Sequence, residues 1–376
     1  MHIIAAIAAV ALLIATLRDA FETIILPRRV SRKFRLTSLF YRTTWRPWRA
    51  AAQRVPVNLR ENSLGWYGPL SLLVLLALWA FAIVVAFGVL HWSVGSAIRT
   101  DGHAPGVLDD LYLSGTTFFT LGMGDVVPKI AIAKFITVFE SGIGFAFLAI
   151  IIGYLPVIYQ AFSRREIAIS LLDARAGSPP CATELLLRQK NDVDHADLAR
   201  LLAEWERWSA EVLESHLSYP VLAYFRSQHG NQSWLAALTT MLDTSALVMI
   251  GFDGWCMRQA QLTFAMARHA VVDLAQVFSA PQPMVLAERL DGNEFAAMVE
   301  QLGKAGMAFR DRKTGNQLTV LRRMYEPYVL ALSRHLVLPL PPWIRTEPRP
   351  DNWQAAPWKV RAAADQTDDG VEPEHF

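Results

Sequence analysis

Cysteine is scarce in this chain of 376 residues, since only Cys181 and Cys256 are present and neither belongs to a Cys-x-x-Cys pair. This excludes a disulfide scaffold, and we expect both thiols to be reduced. Charged residues are also few, at 19%, while 53% of the residues are hydrophobic, which excludes a largely disordered chain. The net charge of +2 excludes little, because it is the sum of an early basic stretch and a more acidic second half.

The absence of charge is concentrated in long runs. Residues 62–98 contain no Asp, Glu, Lys or Arg, and residues 130–163 contain only Lys134 and Glu140. Helices of this length can cross about 30 Å of hydrocarbon at about 1.5 Å per residue. The sequence therefore predicts an all-α membrane protein with an outer helix over 69–90 and an inner helix over 130–159.

The N-terminal segment, 1–27, begins with another apolar stretch. This stretch is followed by Arg18, Asp19 and Glu22, which we expect to pair with one another or to meet lipid headgroups. We interpret 1–27 as a third membrane helix, with a cleaved or interfacial segment as the alternative.

Residues 28–64 carry ten Lys or Arg residues before the first acidic residue, Glu61. The positive-inside rule places this loop in the cytoplasm, and the aromatic residues within it favour a helix at the headgroup level. A nucleic-acid arm would look similar, but a loop tethered between two spans makes that the poorer interpretation. The predicted topology has a periplasmic N-terminus, and the chain after Arg165 is cytoplasmic.

A shorter apolar stretch, 109–119, lies between the outer and inner helices and is too short to span a membrane. We expect a re-entrant helix with Asp109 and Asp110 at its N-terminus. Gly122 and Gly124 follow at once, and they allow the alternating backbone conformations that turn successive carbonyl oxygens towards one axis. Unpaired carbonyls at membrane depth are tolerated where they line a water or ion path.

The run Thr-Phe-Phe-Thr-Leu-Gly-Met-Gly-Asp over 117–125, continued by Val-Val-Pro, resembles the signature of the potassium channel family. The resemblance covers about residues 67–162 and implies a pore domain over 65–163 with a selectivity filter over 120–125. The implied filter residues are Thr120, Leu121, Gly122, Met123, Gly124 and Asp125. It further implies a homotetramer, with potassium ions at the filter carbonyls, no other metal and no cofactor. The protein would then be a channel of the bacterial inner membrane, surrounded by lipid, and no enzyme.

The inner helix carries a second point of resemblance. Gly144 lies 19 positions after Asp125 (144 − 125 = 19), where this family places a gating hinge. Gly153 and Pro156 are further flexible points of the same helix.

Two residues depart from the family pattern. Met123 stands where the family has tyrosine, and Phe119 precedes Thr120 in place of threonine or serine. Methionine offers the same carbonyl but cannot donate the hydrogen bond that braces the filter. Two alternatives to a potassium channel therefore stay open: a weakly selective cation channel, and a membrane-anchored scaffold or sensor that does not conduct.

Glu140 is an ionisable residue inside the predicted inner helix, where such groups are costly and have partners. One interpretation is ion attraction or a protonation gate. The other, which we favour, is a hydrogen bond to the back of the pore helix at Ser114, Thr116 or Thr117. We therefore treat Thr117 and Glu140 as supports of the filter.

Residues 164–338 show apolar positions at helical spacing and predict an α-helical cytoplasmic domain, with a kink expected at Pro327. The apolar run 234–250, interrupted by Asp243, is a fourth span or, as we prefer, a buried helix of this domain. We find no motif for a small-molecule ligand and no nucleic-acid site. The histidines His195, His216, His229, His269 and His335 lack ligand spacing, so we expect solvated or capping roles. Residues 339–376 are rich in proline and then acidic, which predicts a disordered tail.

Overall fold

A computed structural model describes residues 1–26, 36–100, 104–189, 195–228, 231–251, 254–281, 288–307 and 314–345. This part of the chain is almost entirely helical, so the predicted all-α class is confirmed. The start of the basic stretch, up to residue 35, lies outside the described residues, as does the tail from 346 onward.

The chain divides into two compact units. The first, which we call the membrane unit, consists of Met1–Ala161 and Ser218–Phe225. The second, the C-terminal unit, consists of Phe162–Leu217 and the described residues from Arg226 onward. The predicted domain over 164–338 is therefore not continuous, because residues 218–225 belong to the membrane unit.

Four helices of the described chain are long and apolar enough to cross a membrane. Three of them lie wholly or mainly in the membrane unit. The helices of this unit are α1 (His2–Ile24), α2 (Leu36–Ala52), α3 (Val57–Ser93), α4 (Val107–Phe118) and most of α5 (Ala131–Ala176), with a 3₁₀-helix over Pro220–Tyr224.

The outer and inner helices are both longer than predicted. Helix α3 begins at Val57 and not at residue 69, and α5 ends at Ala176 and not at residue 159. Pro69 is typical of a helix start, but here it lies inside α3. Leu64 and Tyr67, in the turn before it, are buried, and this burial outweighs the loss of one backbone hydrogen bond.

A short antiparallel ribbon lies between the end of α3 and the start of α5. Its strands β1 (Ile98–Arg99) and β2 (Val127–Pro128) pair Ile98 with Pro128, and the Lys129 amide donates to the Ala97 carbonyl at 2.8 Å. The ribbon joins the segment after α3 to the segment after residues 120–125. It therefore anchors both ends of the α4 region to the same place.

Asp19 of α1 joins three helices. Its Oδ2 accepts hydrogen bonds from the Thr37 amide at 3.0 Å, the Thr37 hydroxyl at 2.6 Å and the Trp79 indole at 3.1 Å. Arg18 and Glu22 form their own ion pair at 2.8 Å. The prediction that these three residues pair with one another or meet lipid headgroups is thus wrong for Asp19, which is buried. Its carboxylate instead satisfies donors at the start of α2 and on α3.

The inserted segment 218–225 packs into an aromatic cluster. The Tyr224 ring lies 5.5 Å from Tyr41, 5.0 Å from Trp45 and 5.2 Å from Tyr67, measured between ring centroids. A Cβ at Gly68 would lie 3.0 Å from the Tyr224 carbonyl oxygen, so only glycine permits this approach of the segment to α3. The aromatic residues predicted at the headgroup level therefore also serve as packing partners.

The C-terminal unit is built around helix α8 (Trp234–Gly251). In the 18-residue apolar stretch of α8, 83% is buried within the protein, whereas in the corresponding stretch of α5 only 17% is buried. Helix α8 is therefore a core helix rather than a fourth span. The other helices are α6 (Ala182–Arg188), α7 (Ala196–Ser218), α9 (Gly254–Val277), α10 (Gly292–Lys304), α11 (Thr314–Arg323) and α12 (Glu326–Leu336). The kink expected at Pro327 is a complete break between α11 and α12, because Pro327 lies in the first turn of α12, where its missing amide has no helical partner to lose.

Asp243 interrupts the apolar sequence of α8 because it is the centre of a buried polar cluster. Arg289 donates to it at 2.8 Å and to Glu326 at 3.3 Å, and the Tyr325 hydroxyl also donates to it. The Arg289 guanidinium lies 5.6 Å from the Trp343 ring centroid. We refer to these residues as the Asp243 cluster.

Both cysteines are free and buried in the C-terminal unit, which agrees with the expectation of reduced thiols. The Cys181 thiol donates to the Trp343 carbonyl at 3.0 Å. Burial raises the pKa of this thiol to about 11, so it stays protonated at neutral pH.

His216 contradicts the prediction of a solvated or capping histidine. Its ring is fully buried and lies 4.9 Å from the Trp234 ring centroid. Nδ1 lies 2.8 Å from the Val212 carbonyl, and Nε2 lies 3.2 Å from Arg165 Nη1. Because a carbonyl only accepts and a guanidinium only donates, the ring is neutral with its hydrogen on Nδ1.

We expect His216 to make the folded chain sensitive to acid. Burial and the nearby Arg165 cation lower its pKa to about 3 in the folded state, against about 6.5 in an unfolded chain. Between these values only the unfolded state takes up the proton. Stability is therefore lost as pH falls from about 6.5 towards 3, by up to ~1.4 kcal/mol per pH unit. In thermal unfolding experiments between these pH values, His216→Gln should lose less stability per pH unit than the wild type. The same loss per pH unit in both proteins would contradict a buried, neutral His216.

Candidate functional site

The candidate site begins with the short helix α4. It starts at Val107, slightly before the predicted residue 109, and ends at Phe118. The Asp109 carboxylate accepts a hydrogen bond from the Gly106 amide at 2.8 Å and thereby caps the N-terminus. The carboxyl end of α4 leads directly into residues 120–125, so the negative end of its dipole lies at that segment.

The backbone of the segment 120–125 alternates in conformation. Thr120, Gly122 and Gly124 have φ of 56°, 55° and 83°, whereas Leu121 and Met123 between them have negative φ. A Cβ added at Gly122 or Gly124 would meet no atom within 4 Å, so the backbone conformation, and not a lack of space, requires glycine there. The alternation expected from the glycine spacing is therefore present.

The turn that leads into this segment is fastened to α4. The Thr120 amide donates to the carbonyl of Thr117 at 3.0 Å, and the Leu121 amide donates to the carbonyl of Thr116 at 2.7 Å. Thr117, predicted to support the filter, thus contributes its backbone carbonyl. In the isolated chain Leu121 is 64% and Met123 68% exposed, and the other four residues of the segment are also exposed.

Tyr112 is a residue that the sequence reasoning missed. Its hydroxyl, on α4, interacts electrostatically with the Asp125 carboxylate at the end of the segment. This interaction links the segment to the preceding helix, whereas Met123 itself offers no hydroxyl. The sequence contained one indication of this residue, namely an aromatic side chain with a hydroxyl on the helix that directly precedes the glycines.

Gly144, predicted as a hinge, lies where α5 meets the end of α4. A Cβ there would lie 2.2 Å from the Phe118 carbonyl oxygen, far inside a van der Waals contact. Helix α5 runs without interruption through Gly144, Gly153 and Pro156. Close packing against the end of α4 therefore requires glycine at position 144. Bending of α5 at Gly144, Gly153 or Pro156 stays a prediction.

Glu140 lies fully buried on α5, one turn before Gly144. Of the three hydrogen-bond partners considered from the sequence, the structure brings Ser114 to it, and the two side chains share a hydrogen bond. Ser114 also donates to the Val84 carbonyl of α3 at 2.7 Å. Ser114 thus connects α4 with both long helices.

The part of the chain that the structure describes contains no side-chain metal site of the kind formed by His, Cys, Asp and Glu. No group of three or more His, Cys, Asp or Glu residues there has the geometry to hold a metal ion. Backbone carbonyl oxygens, such as those of the 120–125 segment, are a different kind of group that binds cations in channels.

Comparisons with known proteins agree with this geometry. Residues 72–160, which include α4, the 120–125 segment and most of the two flanking helices, match a family described as ion channel. YdjJ, an uncharacterized membrane protein of Bacillus subtilis (strain 168), is 25% identical over 191 residues, which are 50% of this chain and 55% of YdjJ. The chain therefore spans about half the length of this relative. No solved structure matches the chain significantly. Residues 72–160 of this membrane protein are therefore similar to an ion channel family.

Proposed function

We propose that the protein conducts potassium ions passively across a membrane. The observation that carries this proposal is the alternating backbone of residues 120–125 at the carboxyl end of α4. Such a backbone directs successive carbonyl oxygens to one axis, where they replace the hydration shell of the ion. The dipole of α4 adds a favourable potential for a cation at the same place. No cofactor and no catalytic step is needed.

We further propose that the pore is enclosed by four copies of the chain around one axis. A single 120–125 segment per chain does not surround an ion, and cyclic symmetry supplies the other three. Large apolar side chains at the end of α4, on the segment and on α5 are exposed in the isolated chain and are available for contact with neighbours or lipid. These include Phe119, Leu121, Phe135, Val138 and Phe145.

The proposed location is a bacterial inner membrane with a periplasmic N-terminus. The basic residues between α1 and α3 favour the cytoplasmic side for that loop, and Arg164 and Arg165 favour the same side for the end of the inner span. The C-terminal unit would then lie in the cytoplasm, where it assembles or gates the pore.

Reconstitution of the full-length protein in lipid vesicles tests the proposal. Potassium-loaded vesicles should release potassium along its gradient, and in planar bilayers the reversal potential should follow the potassium gradient. Absence of any ion flux from correctly folded protein would favour the alternative of a scaffold or sensor that does not conduct.

Gly122→Ala is expected to lower the potassium flux about tenfold or more. Alanine at the left-handed φ of Gly122 costs about 1–2 kcal/mol, and relief of this strain turns a carbonyl away from the axis. Gly95→Ala is the matched control, since Gly95 also has a positive φ of 87° and open space but lies outside the segment. Equal flux in both variants would contradict the proposed role of Gly122.

Met123 favours a second candidate function, a weakly selective cation channel. Its flexible side chain provides no hydroxyl to brace the segment. The same bilayer experiment separates the two candidates. A reversal potential that ignores the potassium gradient when sodium is present on the other side would establish the weakly selective channel.

A further inference from the structure

Two ionisable side chains face each other behind helix α4. His91, near the end of α3, and Glu140 of α5 are both fully buried, and His91 Nε2 lies 3.8 Å from Glu140 Oε2. Both residues belong to the membrane unit. Neither His91 ring nitrogen has a hydrogen-bond partner among the described residues, and neither does Glu140 Oε2. Buried polar atoms of this kind are rare and require an explanation.

The hydrogen bonds of Ser114 indicate that the Glu140 carboxyl group is protonated. Its hydroxyl lies within hydrogen-bond distance of the Val84 carbonyl and of Glu140 Oε1, yet a hydroxyl has only one hydrogen to donate. A carbonyl cannot donate, so both contacts are full hydrogen bonds only if Glu140 carries a proton. In this arrangement the protonated Glu140 carboxyl donates to the Ser114 oxygen, and the Ser114 hydroxyl donates to the Val84 carbonyl.

Loss of this proton changes which helices are joined. A Glu140 carboxylate is the stronger acceptor, so the Ser114 hydrogen turns from Val84 to Glu140. The hydrogen bond between α4 and α3 is then broken, while the bond between α4 and α5 is kept. His91 lies beside the carboxylate and can take up a proton, which would balance the buried charge.

Few other charged groups face this pair. On α4, Asp110 lies one turn before Ser114, and its Oδ2 accepts a hydrogen bond from Ser96 at 2.6 Å. On α5 the nearest charged residue is Lys134, and on α3 after Glu61 the sequence has no Asp, Glu, Lys, Arg or His other than His91. Helix α1 contributes His2, whose ring contacts Trp92 at 5.0 Å.

We propose that Glu140 and His91 form a buried proton-binding site that fastens α4 to α3 when Glu140 is protonated and loosens it when Glu140 is ionised. Because α4 leads directly into residues 120–125, the site sets the conduction of the pore in response to pH. This second statement rests on the proposed channel function, whereas the proton site itself does not.

Infrared spectroscopy of the full-length protein in vesicles tests the proton site without any ion flux. Spectra are recorded from about pH 5 to about pH 9, a span in which buried carboxyl and imidazole groups titrate. We expect the carbonyl stretch of a protonated carboxylic acid to titrate in the wild type and to be lost in Glu140→Gln. Glu22→Gln is the control, because it removes a different buried carboxylate, which pairs with Arg18. Identical spectra for wild type and Glu140→Gln would overturn the proton site.

Potassium flux over the same pH range tests the link to conduction. Over this range we expect the potassium flux of the wild type to change roughly two- to tenfold. This is the change in an equilibrium constant that corresponds to the net free energy of one intramolecular hydrogen bond. Glu140→Gln should flatten this pH profile, His91→Gln should shift its midpoint, and Glu22→Gln should leave it as in the wild type. An unaltered profile in Glu140→Gln would overturn the link. Absence of flux in all variants would count against the channel function, and the infrared result would still decide the proton site.

Discussion

Gly144→Ala is expected to abolish most of the ion flux of this protein. The added Cβ would lie 2.2 Å from the Phe118 carbonyl oxygen and 3.0 Å from the Phe118 carbonyl carbon. These are backbone atoms that no rotamer change can move, so the end of α4 must shift. Overpacking of this kind costs about 1–3 kcal/mol. Each ~1.4 kcal/mol shifts the equilibrium constant between the correctly packed and the displaced state about tenfold towards the displaced state.

Gly142→Ala provides the matched control for this prediction. Gly142 lies on the same helix just before Gly144, and a Cβ there would meet no atom within 4 Å. Alanine should therefore leave flux unchanged and stabilise the helix by about 0.5–1 kcal/mol. Potassium flux in vesicles and thermal unfolding in detergent measure the two effects. Normal flux in Gly144→Ala would show that α4 and α5 are not held as close as the structure has them.

Removal of the Arg289 guanidinium is the second substitution for which we expect a large effect. Arg289→Ala leaves the buried Asp243 carboxylate without its Arg289 cation, whereas Glu326 keeps its ion pair with Arg322 at 3.0 Å. Breaking a buried ion pair from one side costs about 3–5 kcal/mol. For a unit of this size that loss corresponds to a fall in Tm on the order of 10 °C. Thermal unfolding followed by circular dichroism measures it.

Two comparisons make the Arg289 result specific. Arg200→Ala removes an exposed ion pair with Asp197, where both side chains are more than half exposed, and should change stability by less than about 1 kcal/mol. Arg289→Ala combined with Asp243→Asn should recover part of the lost stability, because the buried charge is also removed. A single Arg289→Ala variant as stable as Arg200→Ala would mean that the Asp243 cluster does not hold the C-terminal unit together.

Local chemistry explains why the alternating backbone of residues 120–125 was predictable from the sequence. Gly122 and Gly124 are needed for a backbone conformation that depends on only a few neighbouring residues. The charge-free run before Arg99 is long enough to cross a membrane wherever its neighbours lie. Both features are properties of short or continuous segments, so no knowledge of packing was needed.

Element ends and side-chain partners were less predictable. Pro69 has the local signature of a helix start, but burial of Leu64 and Tyr67 extends α3 through it. His216 has no special sequence context, yet it lies buried between Trp234 and Arg165. Such outcomes depend on neighbours that are distant in the sequence, which periodicity does not reveal.

The sequence by itself determined that this is an all-α membrane protein with a channel-like segment over 120–125, because hydrophobic run length and glycine conformation are local properties. Tertiary structure alone decided that residues 218–225 return to the membrane unit, that Asp243 finds Arg289, and that Glu140 faces His91. A buried polar group must be satisfied or neutralised, but which partner does so depends on how helices pack.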